Sequence, residues 1–386
     1  MLKIDYKLLI SECDSEIRAG QVPQARRRLK QTSYGGVPRE LALPLANICR
    51  RVGLITLGLR ILSPLIHPEK HTHSAKASDA EVAEFAVLLQ RCGAVDEAIE
   101  LLSKIDSKNL PEVKLYKTFC LFNRWEYADA IDEIRDYLKF ELTPYAQMVG
   151  RVNLGAALIA TDRYEEAIHL LCENIAFAKK NKFRRLEGNC FELRGQAQTL
   201  IGNFKFATED LEVASQILFG EKVSNELAIT KWQAVIKSTQ TKSAIPLHSF
   251  KKLALENGDY EGVRHSDLHT LKIDFDPSLF RHLLFGSPWN SFRKSTQTIL
   301  GQSIAEQDFI FGSEKTNIFD LATGQIERGS GIPAGGSLHR LLNALLIDFY
   351  RPIRTGALFS KMFPGEKFNI FSSPGRIHQV LFRGRA

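Results

Sequence analysis

Histidines, cysteines and carboxylates at short spacing are the first place to look for chemistry. His67, His71 and His73 lie together in "HPEKHTH". Three imidazoles could hold zinc, but no cysteine stands nearby to complete four ligands, and the stretch reads as a proline-bounded loop. His265 and His269 in "HSDLH" fall one helical turn apart. That spacing puts two imidazoles on one helix face, yet the glutamate of the HExxH metalloprotease pattern is missing. The glycine-rich "GIPAGG" at 331–336 has no Lys-Ser or Lys-Thr after it, so it reads as a connector and not as a phosphate cradle. Glu165 with Glu166, and Glu209 with Asp210, fall beside turns on helix surfaces, where water solvates them. No catalytic residue, metal or cofactor is expected.

Cys13, Cys49, Cys92, Cys120, Cys172 and Cys190 are scattered, with no CxxC pair, and each falls in a helical apolar pattern. They read as reduced, buried thiols of a cytoplasmic protein. The N-terminal residues carry acids where a signal peptide needs an apolar run. The most apolar stretch, 41–66, is interrupted by Arg50, Arg51 and Arg60, so no membrane segment is expected. The formal net charge is +7. Residues 335–386 hold eight basic side chains and only two acidic ones, Asp348 and Glu366, so most of the excess lies at that end. Such asymmetry suits a surface that meets a polyanion.

Basic residues meet DNA best from a helix. In "SSPGRIHQVLFRGRA", Ser373 can cap a helix with Pro374 in its first turn. At 100° per residue, Ile377, Val380 and Leu381 share one face, and Arg376, His378, Gln379 and Arg383 share the other, with Phe382 among them. Arg and Gln side chains can pair with base edges in a major groove, and Arg also neutralises phosphate.

Those residues need a frame, and most of the frame is repetitive. Small residues recur on either side of a break, followed by an aromatic: Gly195, Gly202, Phe204 and Ala207; Gly155, Tyr164 and Ala167; Ala86, Gly93 and Ala98; Ala46, Gly53 and Gly58. Ala25 and Ala130 hold the second small position in two further copies. The spacings from Ala25 through Gly58, Ala98, Ala130, Ala167 and Ala207 are 33, 40, 32, 37 and 40 residues. Small residues at helix crossings let paired helices approach, and neighbouring pairs stack to complete a core. Over about residues 5–265 this resembles the tetratricopeptide-repeat family, whose period is about 34 residues. The resemblance implies a helical solenoid whose concave face holds a protein or peptide partner. Ala86, Ala98, Gly155, Ala167, Gly195 and Ala207 are the expected packing positions.

After a helical connector at 272–306, the pattern changes. "DFIFG", "NIFDL" and "GQIER" read as a small antiparallel β-meander, and three helices follow, the second capped by Thr355. This order, with "LLNALL", "ALFSKMFPGE" and "SPGRIHQVLFR" as the helices, resembles the winged helix-turn-helix effector domain of bacterial response regulators. Gly384 interrupts the last helix and the sequence ends at Ala386, so the C-terminal wing is missing from the pattern. The expected fold is therefore mostly α: a TPR-like solenoid (1–271), the connector (272–306) and a small α+β winged-helix-like domain (307–386) lacking its wing. By this resemblance the chain is a non-catalytic bacterial regulator. Arg376, His378, Gln379, Arg383, Arg385, Lys361 and Arg354 would contact double-stranded DNA. The competing reading is an adaptor, in which the end unit packs on the solenoid or on a second protein. A DNA reader leaves the Arg376, Gln379 and Arg383 face open and continuous with Lys361, Arg351 or Arg354, whereas an adaptor covers it. Oligomeric state is left open.

Overall fold

The computed structural model describes residues 4–18, 21–68, 76–220, 223–303, 320, 323–325 and 331–384. Seven helix pairs come first. They are α1 (Tyr6–Arg18) with α2 (Val22–Gln31), α3 (Arg39–Arg51) with α4 (Ile55–Ile66), α5 (Asp79–Cys92) with α6 (Val95–Ser103), α7 (Glu112–Asn123) with α8 (Tyr127–Tyr137), α9 (Pro144–Ala160) with α10 (Tyr164–Lys180), α11 (Arg184–Leu200) with α12 (Phe204–Leu218), and α13 (Val223–Thr241) with α14 (Ile245–Glu256). Then follow α15 (Tyr260–Ile273), α16 (Pro277–Phe285), α17 (Asn290–Leu300), α18 (Ser337–Leu345), α19 (Thr355–Met362) and α20 (Ser373–Arg383). Each pair packs on the next, as in a TPR-like helical-repeat solenoid, and first helices such as α9, α11, α13 and α15 touch in sequence.

The small residues sit where helices cross. Ala25, Ala86, Ala98, Ala130, Ala167 and Ala207 are fully buried. A methyl group on Gly155 would lie 3.0 Å from the Leu171 Cδ2, and one on Gly195 would lie 2.9 Å from the Leu211 Cγ. The turn inside a pair requires a left-handed residue. Gly202 supplies it at φ 86°, but Trp125 (φ 58°) and Asp162 (φ 59°) take the same place in their own turns. An L side chain there costs about 1–2 kcal/mol. Local caps fix helix starts: Ser78 and Glu81 form a reciprocal capping box on α5, and the Asp259 carboxylate accepts from the Gly262 N–H on α15.

The α+β winged-helix domain expected over 307–386 is not what the chain forms. No strand occurs among the described residues. Of the expected meander, only Asp320 and residues 323–325 are described, and they make a turn in which the Asp320 side chain bonds Thr323. The rest of the meander lies outside the described residues. Among the described residues, the three helices α18–α20 meet no sheet. Leu341, Phe359, Met362, Ile377 and Val380 join one continuous core with Leu62, Phe85, Leu89 and Leu102 of the solenoid. The apolar faces read from the sequence exist, but another helix pair covers them. Local capping differs too: neither Thr355 nor Ser373 caps its helix. Instead Ser373 Oγ accepts from the Asn369 N–H, and Asn369 Oδ1 accepts from the N–H groups of Phe371 and Ser372.

The joint between α19 and the α5–α6 turn is a backbone-to-backbone approach. A methyl on Gly356 would lie 2.9 Å from both the Ala94 nitrogen and the Cys92 carbonyl oxygen. Phe368 N–H donates to Glu97 Oε2 at 2.8 Å beside it. Gly375, in α20, has open space around it. Helix propensity favours alanine over glycine by about 1 kcal/mol, whereas overpacking costs about 1–3 kcal/mol. Gly375→Ala should therefore raise stability slightly in urea titration, and Gly356→Ala should lower it. The reverse order would contradict the docked arrangement.

Candidate functional site

The segment after α18 is tied to α15 by a buried charge. The Arg264 side chain has no exposed surface. Its guanidinium donates to Glu261 Oε2 at 2.7 Å and to Asp348 Oδ1 at 2.6 Å. It lies 4.4 Å from the Trp289 ring centre and 5.0 Å from that of Tyr350. The same Asp348 oxygen accepts the N–H groups of Tyr350 and Arg351, so the turn that follows α18 is built around the ion pair. One helical turn further on, Asp267 accepts from the Tyr350 hydroxyl at 2.9 Å and from Lys251 Nζ at 2.5 Å. The Tyr350 pKa is pushed up by burial and by Asp267.

Beneath this clasp lies a chamber of about 300 Å³. Its walls come from the inner helices: Ala156, Ile159 and Ala160 of α9, Leu193, Gln196 and Leu200 of α11, Lys231 and Trp232 of α13, and His265, Leu268, His269 and Lys272 of α15. Phe292, Ser295, Thr296 and Ile299 of α17 close one side. Trp125 and Asp162, the two non-glycine turn residues, project into it with Phe122, Tyr127 and Tyr164 nearby. Trp125 packs on Phe292 (4.6 Å between ring centres), Trp289 (5.8 Å) and His265 (5.7 Å). That contact accounts for a bulky residue in a left-handed turn.

Several polar groups here are screened from water: His269 is buried, and His265, Lys231 and Glu192 are half-buried. His265 Nδ1 lies 2.9 Å from the Glu261 carbonyl oxygen, which only accepts, so Nδ1 carries the proton and Nε2 is left as an acceptor. Burial, helped by Lys231, pushes the His265 pKa down to about 3. His269 is lowered well below the usual histidine range by burial and by the nearby Lys272, and it stacks edge-on with Trp232 at 5.4 Å. Lys231 lies 4.7 Å over the Trp232 ring. Burial lowers the pKa of Lys231 and of Lys272 and raises that of Glu192.

The sequence-derived DNA-contact residues have different surroundings. Arg376 is ion-paired with Glu366 and lies 4.0 Å over the Phe363 ring. Arg354 donates to the Arg91 carbonyl at 3.2 Å, at the joint with the solenoid. Arg351 turns toward Glu261 (3.5 Å). His378, Gln379, Arg383 and Lys361 are exposed, and Arg385 lies outside the described residues. The winged-helix frame that would aim α20 at DNA is not formed among the described residues. His71 and His73 also lie outside the described residues, while His67 packs edge-on against Phe85. No group of three potential metal ligands occurs among the described residues. Cys172 differs from its expected burial: it is exposed, beside the buried stripe of α10, with Arg194 Nη1 3.1 Å from its sulfur. Among the described residues no helix is long and apolar enough to cross a membrane. Lys231 and Lys272 drew no notice in the sequence, because isolated lysines in amphipathic helices carry no pattern.

No protein-family model matches this sequence, and no curated protein is similar to it in sequence. Solved structures are similar in fold. A Rap protein complexed with Competence and Sporulation Factor aligns at a TM-score of 0.50 and 13% identity, over 77% of this chain and 88% of that one. The apo form of RapI aligns at 0.45 and 14% identity, over 72% and 85%. The Rap conjugation gene regulator of plasmid pLS20, in complex with the Phr* peptide, aligns at 0.40 and 11%, over 79% and 100%. What the first of these shares with this chain is the helical-repeat fold.

Removing one partner of a buried ion pair typically costs about 3–5 kcal/mol, because the other charge is stranded. Asp348→Asn should lose stability on that scale in urea titration, and Arg264→Met with Asp348→Leu should recover most of it. Equal losses in the single and the double variant would contradict the clasp.

His265 and His269 are held neutral in the fold, with pKa values below the unfolded 6.5. Between those values the unfolded chain binds protons that the folded chain does not. Their contribution is therefore complete above pH 6.5 and lost progressively as pH falls below it. The melting temperature should drop from pH 7 to pH 5, before carboxylates titrate, and His265→Asn should flatten that slope.

Proposed function

We propose that this chain is a non-catalytic regulator that binds a short peptide or protein segment on the inner face of its solenoid, with the chamber as the anchor point. The chamber itself carries the reading. It is a half-open, aromatic recess furnished with a few polar groups that can orient a ligand, which is the usual make-up of a binding site. Its walls are the inner helices of consecutive repeats, the face on which stacked repeats hold partners. The fold likeness to a Rap protein that was solved complexed with Competence and Sporulation Factor supports a peptide partner. A volume of about 300 Å³ is at the low end for ligand pockets, roughly 300–1,000 Å³, so it suits one or two side chains of a partner and not a whole extended peptide.

Regulation follows from the clasp. The segment holding Asp348 and Tyr350 is bound to α15, the helix that also contributes His265, His269 and Lys272 to the chamber. A ligand that prefers one arrangement of α15 shifts the attachment of α18–α20 by as much as its affinities for the two arrangements differ. DNA contact is not part of this reading, since Arg376 and Arg354 are bonded within the fold and the expected α+β winged-helix domain is not what the chain forms.

A pool of random heptapeptides passed over immobilised full-length protein, with retained peptides identified by mass spectrometry, tests the proposal. A defined set should be retained. Ala160→Trp, which fills the chamber, should reduce retention about tenfold or more, a loss of about 1.4 kcal/mol or greater. Phe206→Ala, on the exposed surface of α12, should leave it unchanged. No retained set, or the same set on Ala160→Trp, would remove the peptide reading.

A further inference from the structure

A threonine inside a helix can return its hydroxyl to the carbonyl four residues earlier, and Thr118, Thr199, Thr239 and Thr298 do so. Thr296 does not. It is 1% exposed, and its Oγ1 has no hydrogen-bond partner. The indole N–H of Trp232, 3% exposed, is likewise without one. Both residues line the chamber, Thr296 from α17 and Trp232 from α13. A third unanswered atom on the same wall is an acceptor. His265 Nδ1 carries the proton that meets the Glu261 carbonyl, so Nε2 holds a lone pair, and no described residue donates to it. The three atoms belong to neighbouring elements, because α15 packs on both α13 and α17. Leaving a buried donor without a partner costs about 1–3 kcal/mol. Two such groups and a free lone pair around one recess are completed by a ligand that both donates and accepts.

We infer that the chamber receives the ring of a phenol, whose hydroxyl donates to His265 Nε2 and offers Thr296 Oγ1 and Trp232 Nε1 the acceptor they lack. The inference rests on the reading of this chamber as the ligand site and adds the chemistry of the group that enters it. Three features narrow the class. The remaining walls are largely aromatic and aliphatic, with Trp125, Phe292, Ile159 and Leu268 among them, so the body of the group is apolar, and a ring stacks on such walls. A carboxylate has no proton to give to His265 Nε2. A cationic donor meets Lys231 and Lys272 on the same wall. A neutral ring with one hydroxyl meets all three conditions. The same chemistry has two sources: a tyrosine side chain of a bound peptide, or a free phenolic molecule.

Calorimetry on full-length protein with p-cresol and p-xylene tests this. The two probes have nearly the same shape and differ by a hydroxyl in place of a methyl. Leaving water costs the hydroxyl more than the methyl, so a recess that only buries apolar surface binds p-xylene tighter. The expected order is the reverse, with p-cresol tighter by roughly threefold or more. His265→Leu should restore p-xylene as the tighter ligand. Thr296→Val keeps the shape and removes an unpaired buried hydroxyl. It should leave the melting temperature unchanged or higher and weaken p-cresol by roughly two- to tenfold, and it decides the matter if His265→Leu does not fold. Equal binding, a preference for p-xylene, binding of neither probe, or a p-cresol preference that survives the folded variants overturns the inference. Heptapeptides that are retained and that weaken when their tyrosine is replaced by phenylalanine assign the site to a peptide side chain. Retained heptapeptides without any p-cresol preference remove this inference and keep the peptide reading. A p-cresol preference without heptapeptide retention removes the peptide reading and assigns a free phenol.

Discussion

A guanidinium without exposed surface has to be answered by carboxylates, and Arg264 is answered by two. Glu261 lies on its own helix, but Asp348 comes from 84 residues away. Burying the pair costs several kcal/mol of hydration for each ion before any attraction is gained. That cost makes the arrangement selective: with Asp348 displaced, Arg264 would sit among Trp289, Phe292 and Tyr350 with one carboxylate where two are needed. The turn after α18, the placement of α17 and the return of the chain to the α5–α6 turn all depend on this requirement. The C-terminal helices are therefore part of the solenoid's own packing, sharing a core with its second to fourth pairs.

The chamber is a consequence of the same closure. An array of curved helix pairs leaves an open inner face. Here α17 and the residues around Trp125 cover one side of it, while small residues on α9 keep a space free. Polar side chains that would be solvated on an open inner face become partly covered, and their titration shifts accordingly: His265 and His269 toward neutrality, and Lys231 away from the charged form. The strained turn at Trp125 fits this view, since backbone strain of this kind persists where the surroundings over-determine it.

The solenoid was legible because its signal is local. Small residues such as Ala167 and Ala207 repeat near a fixed period, and helix crossings demand them. The helices at 337–383 were legible for the same reason, with Ile377 and Val380 on the buried side of α20. What covers those faces was not, since an apolar stripe says that something packs on it and nothing about what. Three helices near a basic chain end fit a winged helix as readily as they fit docking against Phe85 and Leu102. The contacts that decide between them, Arg354 to Arg91 across 263 residues and Phe368 to Glu97 across 271, leave no local trace. His265 and His269 drew notice for a metal-like spacing. Their place in the chamber depends on burial, which one helix face cannot reveal.

The central claim is that the C-terminal helices and the repeats form one cooperative body around the chamber. Native-state hydrogen exchange of the full chain in low denaturant measures this most directly, because it separates units that open independently. The expected result is that amides of α15, α17, α19 and α20 exchange through a single opening of common free energy and common denaturant dependence. If α18–α20 open first, at lower free energy and without change in α15, the C-terminal unit is an appended domain and the claim fails.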